Sequence, residues 1–226
     1  MYTYISPPDF RINHLALERS ESKLSESTAA ELSRRAIAYD TGFTLLPGKY
    51  TLKFLARDAQ TGRIGTYLTS FVIPNLNKEE RKLPISSVVL SSQSVSLGEA
   101  LFSAGKDAVQ SYSPLVQGGE KLIPSVTRVF SRSKEMYVYL QAYQQDAAGL
   151  KPIVAFVSFY RGLSKVFETP LMRASEGLNN RLNTIPLKLR FAIDRLDPGE
   201  YTCQTTVLQP DGHKAAFWRT QIMIVP

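Results

Sequence analysis

The sequence predicts an all-β chain made of two immunoglobulin/fibronectin III-like antiparallel β-sandwich modules, the first of them short or incomplete and carrying one short helix. Three observations predict it. The phrase Pro47-Gly48-Lys49-Tyr50-Thr51 returns 151 residues later as Pro198-Gly199-Glu200-Tyr201-Thr202, with Leu46 directly before the first copy and Leu196 two residues before the second. Short runs alternating apolar and polar recur along the second half, separated by turn residues. Helix signals are confined to brief stretches. A Pro-Gly turn followed by an inward tyrosine is how many antiparallel sandwiches begin one of their last core strands. Pro47, Gly48 and Tyr50, and Pro198, Gly199 and Tyr201, are therefore expected as structural corners, each tyrosine tying a turn to its strand.

In chain order, residues 1–23 are poorly patterned, and Pro7-Pro8 argues against an early strand. Residues 25–35 read as the short helix, with Ser27 as N-cap and Ala29, Ala30 and Leu32 as helix formers. Residues 36–44 read as a strand. After the first Pro-Gly phrase, Tyr50, Leu52, Phe54 and Ala56 share one face. A turn follows over residues 58–62, and Tyr67, Thr69, Phe71 and Ile73 alternate on the returning strand. Three or four strands before residue 76 are too few for a seven-stranded sandwich, so module 1 (residues 1–76) reads as partial. The polar segment 77–84 reads as a linker, and residues 85–226 as the second module.

Within that module residues 92–124 read as a long connection, with a helix-like piece at 97–104 and a small hairpin turning at Gly118-Gly119. Strands are then expected near 126–130, 136–143, 153–160, 165–169 and 185–193. The second Pro-Gly phrase opens a strand over 201–208. It turns at Pro210-Asp211-Gly212 into the last strand, 215–225.

Composition bounds the function. Of the residues 43% are hydrophobic and 21% charged, which is ordinary for a packed domain. No run approaches the ~18 apolar residues of a spanning helix, so membrane insertion is not expected. The start shows no signal-peptide pattern. Net charge is +7, but Lys and Arg are scattered along the chain rather than clustered, so nucleic acid is not an expected partner. The single cysteine, Cys203, excludes an internal disulfide and reads as a small buried thiol.

The search for chemistry gives no catalytic set, no metal site and no cofactor. Of the two histidines, His213 sits beside a turn and reads as a surface side chain, and His14 has only Asp9 nearby. No HExxH, phosphate loop or nucleophile elbow occurs, and Asp194, Asp197, Glu79 and Glu80 read as solvated acids rather than calcium ligands. One surface feature remains. Tyr137, Tyr139 and Tyr143 alternate with Met136, Val138 and Leu140, so an inward apolar set leaves the tyrosines as an outward stripe. Flat rings with a hydroxyl suit protein or sugar contacts, although tyrosine is also a good strand former.

The phrases LLPGKYTLKFLARDAQTGRIGTY, SSVVLSSQ, LIPSVTRVFSRSKEMYVYLQAY, VSFYRG, KVFETP and LDPGEYTC occur in this order between residues 45 and 203, within a resemblance that covers the chain from about residue 36 to the end. Together they resemble the C-terminal region of secreted bacterial proteins, common in acidobacteria, that carry a von Willebrand factor type A-related domain. The resemblance implies export and places the metal-binding type A domain upstream. The Asp-x-Ser-x-Ser motif of that domain is absent here, so its adhesion site maps onto no residue of this chain.

The function expected from all this is a non-catalytic structural or interaction module of an exported protein, mediating or positioning protein contacts. A carbohydrate-binding module using the tyrosine stripe or the 92–124 connection is the alternative. A hydrolase with a dispersed site around His14 or His213 is a third reading.

Overall fold

The computed structural model describes residues 2–6, 18–19, 45–58, 61–75, 82–96, 113–144, 150–177 and 183–226. The helix expected at 25–35, the strand at 36–44, the helical piece at 97–104 and His14 lie outside the described residues. The chain divides into two compact units. Among the described residues no helix is long and apolar enough to cross a membrane.

The first unit holds β1 (Tyr2–Ser6), β2 (Glu18–Arg19), β3 (Gly48–Arg57) and β4 (Ile64–Ile73). They form one antiparallel sheet in the order β2-β1-β3-β4. β1, over Tyr2–Ser6, corrects the expectation that Pro7-Pro8 breaks any early strand. Five residues carry little periodic signal, and what defines β1 is the ladder to β3 from Tyr2–Leu55 to Ser6–Thr51. β3 and β4 are joined by a tight turn in which Gly62 takes φ +71° and its N–H bonds the Asp58 carbonyl at 2.9 Å. A positive φ is where glycine costs least. Tyr50 and Phe71 stack across the ladder, centroids 5.7 Å apart. Among the described residues of β3, β4 and the turn between them no side chain is fully buried.

The second unit is a β-sandwich. Its strands are β5 (Val89–Ser96), β6 (Val116–Gln117), β7 (Glu120–Pro124), β8 (Val129–Ser131), β9 (Glu135–Tyr143), β10 (Ile153–Arg161), β11 (Ser164–Glu168), β12 (Met172–Ala174), β13 (Thr184–Ala192), β14 (Gly199–Gln209) and β15 (Lys214–Val225). One sheet runs β13-β9-β5-β7-β6. The other runs β11-β10-β14-β15-β8, with β12 also beside β10. β8 pairs parallel to β15 at Met223–Val225, and the other ladders are antiparallel.

Every second residue of the central strands points into one shared core. Met136, Val138, Leu140 and Ala142 of β9 and Ile185, Leu187 and Leu189 of β13 come from one sheet. Ile153, Ala155, Val157 and Phe159 of β10, Tyr201, Cys203 and Val207 of β14, and Ile222 and Ile224 of β15 come from the other. Burying such side chains contributes about 1.5–3 kcal/mol each before the entropy of ordering is subtracted. Leu83 is only 2% exposed and joins this core, and the Pro84 carbonyl accepts from Tyr143 N–H. The sandwich thus begins at the end of the segment read as a linker. The stretch read as a connection over 92–124 also contributes strands: β5 runs to Ser96, and β6 and β7 form the hairpin around Gly118-Gly119, both at positive φ.

The doubled phrase produces the same local structure twice. Gly48 pairs with Ile73, and Gly199 with Ile224. All ten pairs of the β3–β4 ladder map onto pairs of the β14–β15 ladder when 151 is added to each residue number. β1 lies against β3 as β10 lies against β14.

Candidate functional site

Each corner tyrosine returns its hydroxyl to the backbone four residues earlier. Tyr50 donates to the Leu46 carbonyl at 2.7 Å, and Tyr201 to the Asp197 carbonyl at 2.7 Å. In this way the side chain satisfies a carbonyl just before the strand and fixes the angle at which the chain meets the sheet. The corners differ in their surroundings. Tyr201 is buried, whereas Tyr50 is half-buried. Arg161, the last residue of β10, donates from Nη2 to the Tyr201 hydroxyl at 2.6 Å and to the Pro198 carbonyl at 3.4 Å. Its guanidinium carbon also lies 4.8 Å from the Tyr201 ring centroid. Gly199 takes φ +142°, a conformation restricted to glycine, and a Cβ there would sit 3.3 Å from Arg161 Nη2. Gly48 is in an ordinary conformation. Sequence reasoning found the corners and missed Arg161, because nothing in its neighbourhood marks it before β10 is paired with β14.

Tyr160, Arg161, Gly162, Pro198–Gly199, Glu200 and Gln221 rim an open depression of about 680 Å³ beside this corner. The arginine at its base is already engaged by Tyr201 and Pro198.

The tyrosine stripe is partly overturned. Tyr137, Tyr139 and Tyr143 do share the face opposite Met136, Val138 and Leu140, but Tyr139 is only 3% exposed, and Tyr137 and Tyr143 are half-buried. The three are tied down by neighbours. Tyr143 donates to Gln141 Oε1 at 3.2 Å, and Gln141 Nε2 donates to the Tyr139 hydroxyl at 3.0 Å. Gln117, carried by the small hairpin, also hydrogen-bonds Tyr139. Burial pushes both phenols above their ordinary value. Alternation alone assigned the face correctly. It gave no sign that the β6–β7 hairpin brings Gln117 to Tyr139.

Tyr137 lies within a charged belt. Lys188 Nζ and the Arg190 guanidinium are 5.9 and 5.8 Å from its ring centroid, on β13 beside it. Arg190 bonds Glu135 at 2.6 Å, and that hydrogen bond holds the Glu135 carboxyl below its ordinary value. Ser94 donates to Glu120 at 2.7 Å, and Lys188 reaches Glu120 at 3.4 Å; the Ser94 bond is the larger cause of a lowered Glu120 value. Exposed pairs of this kind add little to stability and more to the chemical character of a surface.

The remaining candidates are structural. Cys203 is fully buried against Phe159 and Thr220, its ladder partners, and burial pushes its thiol up to about 12. His213 is exposed and caps a 3-10 turn (Pro210–Gly212) in the left-handed conformation. Asp194 and Asp197 are exposed and act through their backbones, the former accepting from Arg132 at 2.5 Å. Among the described residues no three His, Cys, Asp or Glu side chains converge to hold a metal.

No protein-family model matches this chain, and no curated protein matches it either.

Proposed function

We propose that the chain is a non-catalytic tandem module of an exported bacterial protein, whose two units position protein contacts. The observation that carries this reading is the repeated corner hairpin, in which one register and one tyrosine-to-carbonyl bond occur twice at an offset of 151 residues. Duplicated units of this kind are the usual way to build a spacer or a contact surface by repetition. In the second unit the two facing, mainly antiparallel sheets, β13-β9-β5-β7-β6 and β11-β10-β14-β15-β8, support an immunoglobulin/fibronectin III-like reading. Both units are read in that way. Export and bacterial origin come from the resemblance of the phrases over residue 36 to the end.

The outer belt of Tyr137, Glu135, Lys188 and Arg190 is the contact face this reading favours, since a tyrosine under two cations suits an acidic or aromatic protein surface. A glycan platform is less well supported, because Tyr139 is covered and the rings do not present one flat stripe.

The test is affinity capture from a cell-envelope extract of the source organism, comparing the parent with a Tyr137→Ala/Arg190→Ala variant of unchanged melting temperature. Loss of a reproducible protein partner in the variant supports the reading. Equal capture by both, or turnover of a hydrolase substrate panel by the parent, contradicts it.

A further inference from the structure

We propose that β4 is an edge-pairing site for β4 of a second copy of this chain. β4 is the end strand of its sheet, and among the described residues it pairs only with β3. It is ten residues long and contains no charged residue and no proline. Ile64, Tyr67, Leu68 and Val72 are 60–67% exposed. Charges, prolines and covering segments are the devices by which sheets keep their edges from pairing; β4 carries no charge and no proline, and among the described residues no segment pairs with its outer edge.

The equivalent strand of the second unit shows the contrast. At the offset of 151, Leu68 corresponds to Arg219, and β15 also carries Lys214. The end of β15 is further occupied by β8, paired at Met223–Val225. One hairpin thus has a charged and partly covered edge, while among the described residues its counterpart has an apolar and unpaired one.

The sequence of β4 is complementary to itself when run antiparallel. With Leu68 opposite Leu68 of the second copy, Ile64 faces Val72, Thr66 faces Ser70, and Tyr67 faces Thr69. Gly65 then falls opposite Phe71, a pairing in which the ring covers backbone that glycine leaves bare. Over residues 64–72 every cross-strand pair matches apolar with apolar or polar with polar, apart from Tyr67–Thr69, an aromatic–β-branched pair that sheets favour; Ile73, at the end of the strand, meets Arg63. Lys49, Lys53 and Arg57 stand on β3, one strand in from the edge, and leave the new ladder uncharged over residues 64–72. Both edges would exchange open backbone groups for interchain hydrogen bonds, as in β-strand addition. This inference goes beyond the scaffold reading and stands on β4 alone, so a chain that stayed monomeric would leave that reading untouched.

The experiment is sedimentation velocity on the whole chain from about 1 μM to about 500 μM, with Leu68→Arg as the variant that imports the β15 residue. The expected result is a dimer whose fraction rises with concentration in the parent and a monomer in Leu68→Arg at equal melting temperature. A monomeric parent at every concentration, open-ended larger species, or a dimer unaffected by Leu68→Arg overturns the proposal. Should Leu68→Arg unfold, the register is read by oxidation of Leu68→Cys chains against Leu163→Cys chains. Leu163 is fully exposed on another turn, and the native Cys203 is buried. Disulfide-linked dimers at position 68 are expected at least about tenfold faster, because pairing raises the local concentration of the two thiols. Equal rates overturn the proposal.

Discussion

The hydroxyl of Tyr201 lies 2.7 Å from the carbonyl of Asp197, four residues earlier. The same bond, at the same spacing and length, joins Tyr50 to Leu46. The Tyr201 bond is the more costly to lose, because Tyr201 is buried and its oxygen also accepts from Arg161. Tyr201→Phe leaves a carbonyl and a guanidinium short of a partner and is expected to cost about 1–3 kcal/mol. Tyr50→Phe is expected to cost under about 1 kcal/mol, since water reaches that corner. Urea unfolding of both variants checks the difference.

The two corner glycines separate in the same way. Gly199→Ala forces a side chain into φ +142° and toward Arg161, for an expected loss of about 1–3 kcal/mol. Gly48→Ala meets only ordinary contact with the Tyr50 ring and should fall within about 0.5 kcal/mol of the parent. Equal losses at both positions would show that the second corner is not strained as described.

Thr205 is fully buried in the sandwich, and its hydroxyl has no hydrogen-bond partner. Replacing it by valine keeps the shape and removes a desolvated polar group. Thr205→Val is expected to raise stability by about 1 kcal/mol, seen as a higher urea midpoint at unchanged slope.

Cys203 should be inert to a thiol reagent such as DTNB at pH 8 in the native state and react in full once the protein is unfolded. Its folded thiol is pushed up to about 12 from an ordinary 9.0. A group whose folded value is raised contributes stability below its unfolded value and loses it as pH climbs toward the folded one. Alkaline destabilisation is therefore expected between about pH 9 and 12 and should be smaller in Cys203→Ala.

At the acid end the sign reverses. Ser158, Lys165 and burial act on Glu168, and the Ser158 hydrogen bond, the largest of them, lowers its value below 4.5. A depressed carboxyl contributes stability above its unfolded value and loses it as pH falls through the folded one. The melting temperature should drop below about pH 4.5, and Glu168→Gln should flatten that drop modestly, because the pair is partly exposed.

The strands of the sandwich were legible because their apolar residues fall at every second position over eight or more residues, as in β9 and β13. The corners were legible because Pro-Gly fixes a turn locally. β1, β2 and β12 were not, since strands of two to five residues carry no period and are defined by the neighbour that pairs them. The tyrosine face shows the same limit. Period two told which side Tyr139 takes, and only the folded-back hairpin with Gln117 shows that it is covered. Arg161 was invisible for the same reason, its partner being 40 residues away.

The most direct test of the central claim, that one corner hairpin is built twice, is a set of cross-strand NOEs from a backbone-assigned sample. The structure predicts contacts between Tyr50 and Phe71 and, at the same offset of 151, between Tyr201 and Ile222, with Gly48 opposite Ile73 and Gly199 opposite Ile224. A register displaced by one residue or more in either hairpin, or no β3–β4 pairing at all, would contradict it.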